Sequence, residues 1–62
     1  MNRVEFLNEL ERLLSDMPAD ERQAAVQYYA DYLADAGEEN EAETLRELGS
    51  PKKVAESIKA DN

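Results

Sequence analysis

A chain of 62 residues with no cysteine, histidine or tryptophan is one domain at most, with a core that hides only about 60% of the surface its unfolded chain exposes. Disulfide staples and thiolate chemistry are excluded, and with histidine goes the side chain that most often acts as general base or transition-metal ligand. Fifteen acids against seven bases leave a net charge of −8, which disfavours free binding to phosphate backbones and to anionic lipid.

Asn2 is placed to accept from the amides of a first helical turn, and Glu5 stands three residues later as the reciprocal partner of a capping box. Met1 and Phe6 occupy staple positions around it. Phe6, Leu7, Leu10, Leu13 and Leu14 then recur at three- and four-residue spacings, while Glu5, Glu9, Glu11 and Arg12 fall mostly outside that stripe. The pattern predicts a helix from about Arg3 to Leu14.

Ser15-Asp16-Met17-Pro18 interrupts the periodicity. Pro18 suits the first turn of a second helix, where its missing N–H would have been unpaired anyway, and Asp20 and Glu21 complement the helix dipole. That helix is predicted to run to about Ala36, with Gly37 ending it in a left-handed conformation. Its apolar stripe reads Arg22, Ala25, Val26, Tyr29, Tyr32, Leu33 and Ala36. Tyr28 lies roughly 100° around the helix from the centre of the stripe, at the edge of the core. The plain reading is a boundary tyrosine with a half-covered ring and a wet hydroxyl; the functional reading is an aromatic contact for a partner.

Asn40 and Glu43 repeat the capping-box spacing ahead of a short third helix that carries Ala42, Leu45 and Leu48 on one side and ends at Gly49. Ser50 caps a fourth helix with Pro51 at its first position and Val54, Ala55 and Ile58 as its stripe. Lys52 and Lys53 fall in the first turn of that helix, where the dipole disfavours positive charge. Attraction to the surplus acids of the domain accounts for them plainly, and an acidic group on a partner is the sharper alternative. The whole predicts an all-α fold, a compact bundle of three to four short helices over residues 1–62, with Met17 filling one end of the core.

Little else carries chemistry. From Asp31 to Glu41 the acids lack the alternation around a glycine turn that a Ca²⁺ loop needs, and the two isolated glycines make no phosphate loop. No metal and no cofactor is therefore expected. A general acid needs a desolvated pocket to raise its pKa, for which so small a core leaves little room, so no enzymatic activity is expected either. The stretch Thr44 to Ile58 reads as a helix, a glycine turn and a second helix, in the manner of a helix-turn-helix. As a reader of DNA it would offer only Lys52, Lys53, Ser57 and Lys59, where recognition helices present several base-reading side chains with basic support.

Further pieces stand in a particular order: Met1 to Leu10 at the start, Met17-Pro18 followed by acids, Tyr28-Tyr29 with Tyr32-Leu33, and Glu47-Leu48-Gly49-Ser50-Pro51 leading to Val54-Ala55. In that order and spacing the chain resembles the HAAS domains, helix-turn-helix-associated alpha-helical signalling domains of bacteria, over nearly all its length. The resemblance implies a cytosolic helical adaptor without catalytic residues, commonly placed ahead of membrane-spanning helices and encoded beside winged-helix regulators of the PadR type. This sequence departs from that arrangement in having no apolar run near the roughly 18 residues a span needs. Since it stops directly after a helical pattern, we expect the ordered head of a longer protein, cytoplasmic or on the cytosolic face of the inner membrane, touching the membrane only through a C-terminal extension.

Residues 1–40 hold ten acids and three bases, residues 41–62 five and four, so a basic partner would meet the first two thirds of the chain. The leading expectation is a signalling domain that binds a protein partner, a PadR-type regulator, through Tyr28, Asp31 and Asp35 of the second helix and Lys52 and Lys53 beside the last turn. The rivals are a DNA-binding fragment and a self-associating structural module.

Overall fold

Four α-helices follow one another through short links: α1 (Arg3–Leu13), α2 (Ala19–Ala36), α3 (Glu41–Leu48) and α4 (Pro51–Ala60), with a 3-10 turn (Glu38–Asn40) ahead of α3. The computed structural model describes residues 1–61, within 33 × 18 × 18 Å. The predicted all-α bundle is the observed architecture. Both α2 and α4 pack along α1, and α3 seats chiefly on α2 and more lightly on α1.

The start of α1 is built as its sequence requires. The Glu5 N–H donates to the Asn2 side-chain oxygen at 2.8 Å and the Asn2 N–H donates to the Glu5 carboxylate at 3.1 Å, closing the capping box. The staple does not accompany it: Met1 stays largely exposed, while Phe6 is buried by the bundle itself. Phe6, Leu10 and Leu14 are wholly buried along the predicted stripe, with Leu7 and Leu13 packed at its margins. Leu33 of α2, Leu45 of α3 and Val54 and Ala55 of α4 complete the core, and Met17 packs against it, partly buried. Burial of each large side chain stabilises the fold by roughly 1.5–3 kcal/mol, so a core of so few residues leaves little margin.

Three local expectations are corrected. Pro18 precedes the first turn of α2 instead of entering it: it is extended at φ −53°, ψ 144°, the helix begins at Ala19, and its carbonyl accepts from Arg22 N–H at 2.9 Å. Asn40 does not cap α3. A capping residue needs an extended backbone, and Asn40, closing the 3-10 turn at φ −106°, ψ 6°, turns its amide back onto the Ala36 carbonyl at 3.0 Å. The buried face of α3 is Glu41, Thr44, Leu45 and Leu48, with Ala42 outside. Six residues separate Ala42 from Leu48, roughly 120° around the helix, so the two never shared a face.

The two glycines end helices as expected, Gly37 at φ +83° and Gly49 at φ +84°, values that a Cβ-bearing residue rarely adopts. Ser50 accepts from Lys53 N–H at 3.1 Å, and Pro51 opens α4 behind it. Among the described residues no buried side-chain nitrogen or oxygen lacks a hydrogen-bond partner.

Candidate functional site

The sequence-predicted residues fall into two groups that no hydrogen bond or ion pair joins among the described residues. Tyr28, Asp31 and Asp35 lie on one face of α2, at the three- and four-residue spacings that align side chains along a helix. All three are exposed, as are Lys52 and Lys53 in the first turn of α4. Neither lysine is in a contact ion pair among the described residues.

Tyr28 stands further out than its place on the helix predicted. It is 63% exposed rather than half covered. Tyr32, read from the sequence as core, is 43% exposed and joins the same face. It sits at the margin of the α2 stripe, one turn beyond Tyr28, a place that by itself assigns a side chain to neither core nor surface.

The Tyr28 ring packs edge-on against Tyr29, with centroids 5.0 Å apart and planes at 78°, a favoured aromatic geometry. Partial burial raises the Tyr29 hydroxyl pKa above its ordinary value, and Tyr28 and Asp61 push the same way. Asp31 accepts from the Gln27 amide at 2.9 Å. The resulting surface consists of two rings and two carboxylates on a rigid helix, suited to apolar, hydrogen-bonding and cationic contacts.

Elsewhere a shallow depression of about 560 Å³ is lined by Asn8, Glu11, Arg12, Ser15 and Arg22, residues the sequence did not single out. Its guanidinium groups are engaged already. Arg12 forks onto Glu9, donating through Nε at 3.2 Å and through a second nitrogen, and these bonds hold the Glu9 carboxyl below its usual range and raise Arg12. Arg22 donates to the Met17 carbonyl at 3.2 Å. Across the turn after α1, Lys59 pairs with Asp16 at 3.0 Å and lowers the pKa of its carboxyl.

Among the described residues no three acidic side chains converge as a metal-ion site, and no helix is long and apolar enough to cross a membrane. The two helices of the helix-turn-helix-like stretch, α3 and α4, make their main contacts with α2 and α1 rather than with each other. No curated protein and no solved structure matches the chain. A family model described as HAAS matches residues 5–57.

Proposed function

Since this chain belongs to the HAAS family, we propose that it is a non-catalytic signalling module that binds a protein partner, a winged-helix regulator of the PadR type, on the cytosolic side of a bacterial inner membrane. The observation that carries the reading is the exposed face of α2. The bundle buries Phe6, Leu10, Leu14, Leu33 and Leu45, yet leaves Tyr28 and Tyr32 exposed beside Asp31 and Asp35. Exposed aromatic side chains on a rigid element are favoured anchors for protein contacts. The surplus of acids in the same part of the chain opposes nucleic acid as the occupant and favours a protein with a basic surface.

Titrating a PadR-type regulator encoded beside the gene into the isotope-labelled domain tests the proposal. The expected result is a set of amide shifts along α2 that saturates as regulator is added. Spectra unchanged at near-millimolar regulator would remove it.

A further inference from the structure

The C-terminal half of α2 carries negative charge that the chain itself does not answer. A helix C-terminus is stabilised by cations, but the last turn of α2 holds no basic residue. The side chain that reaches its closing carbonyls is the neutral amide of Asn40, on Ala36. Asp31 likewise takes a neutral donor, Gln27, and among the described residues neither Asp31 nor Asp35 is in an ion pair. The basic residue of α2, Arg22, lies six positions before Tyr28 and gives its guanidinium to the Met17 carbonyl.

Beside these unanswered carboxylates stand the rings of Tyr28 and Tyr32, one helical turn apart. Tyr28 is already held against Tyr29, so covering it costs little conformational freedom. A tyrosine face flanked by carboxylates is a receptor for guanidinium, which stacks on the ring and pairs in a fork with the acid. A second copy of this chain would bring its own acids against the same acids, which disfavours self-association there.

We infer that the Tyr28, Asp31, Tyr32 and Asp35 face of α2 docks an arginine-bearing helix of the partner protein, an assignment of contact chemistry that rests on the preceding reading. From Tyr28 to Asp35 the face spans roughly 10 Å along the axis. Two turns of a partner helix with arginines along one side cover that length.

The probes are two alanine-based helical peptides of equal length, one with arginines along a single face and its twin with glutamines in their place. Titrated into labelled domain, the arginine peptide shifts amides from Gln27 to Ala36 and the glutamine twin does not. The double variant Tyr28→Ala with Asp31→Asn, shown by circular dichroism to keep its helicity, weakens the arginine peptide about tenfold. Equal shifts from both peptides, shifts confined to α3, or undiminished binding by the variant would each overturn the inference. The regulator titration is then repeated on the double variant. Regulator binding undiminished in the variant overturns the α2 assignment and leaves the interaction-module reading standing. A regulator that binds neither form, while the arginine peptide still selects α2, removes the regulator as partner and supports the chemistry assigned to the face.

Discussion

The backbone N–H of Arg3 donates to the Glu41 carboxylate at 3.3 Å, joining the first residue of α1 to the first residue of α3 across 38 positions of sequence. The N–H groups of a first turn have no partner within their own helix, and a carboxylate there also meets the positive end of the dipole. Glu41→Ala should therefore lower stability by about 0.5–1.5 kcal/mol, seen as a melting temperature several degrees below wild type. An unchanged melt would show that this contact contributes nothing.

Leu10 and Leu33 are wholly buried on α1 and α2, and each holds two helices to the same small core. Truncating either to alanine removes buried apolar surface and leaves a cavity, at a cost of about 2–5 kcal/mol. That is a large part of the stability of a domain this size. Urea titration followed by circular dichroism should place both variants partly unfolded before denaturant is added. A midpoint matching wild type for either would contradict its place in the core.

Asn2 and Asn40 have the same sequence signature and opposite effects. Asn2→Ala removes a cap that α1 uses, costing about 1 kcal/mol, with faster amide exchange at Glu5. Asn40→Ala removes a donor from the Ala36 carbonyl, so the helix that frays should be α2, and its last turn should exchange faster. Acceleration at Glu43 and Thr44 instead would mean that Asn40 caps α3 after all.

That contrast marks what the sequence makes legible. Periodic leucines, a proline after a capping serine and glycines at helix ends act within a few residues, so α1, α2, α4, the positive φ of Gly37 and the helix end at Gly49 are readable in the sequence. Some errors are local, in the backbone at Pro18 and Asn40 and in the spacing of Ala42 from Leu48, and others turn on tertiary packing. The more buried face of α3 includes Glu41, whose carboxylate accepts from the Arg3 N–H on another helix, and Tyr32 stands out from a stripe read as core. Of the candidate surface, Tyr28, Asp31 and Asp35 were legible as neighbours on one helix. Tyr32 was not, because an aromatic residue at the margin of a stripe is assigned to core or surface only by what packs beside it.

The Lys59–Asp16 pair fastens the end of α4 to the turn after α1, and it gives acid stability a definite sign. Hydrogen bonding from Lys59 lowers the Asp16 pKa in the folded state, so the folded chain binds fewer protons at this group than the unfolded chain. Its contribution is present above the unfolded carboxyl value, about pH 4, and is lost as pH falls through the lower folded value. The Glu9–Arg12 pair shifts the same way, but it stays within α1 and cancels when wild type is compared with Lys59→Met. The gap in urea midpoint between those two proteins should be small at about pH 6, shrink further in high salt, and close by about pH 2. Both groups face solvent, so the effect is a fraction of what a buried pair would give. A gap that stays constant across that range would show that Lys59 acts through the packing of its stem and not through its charge.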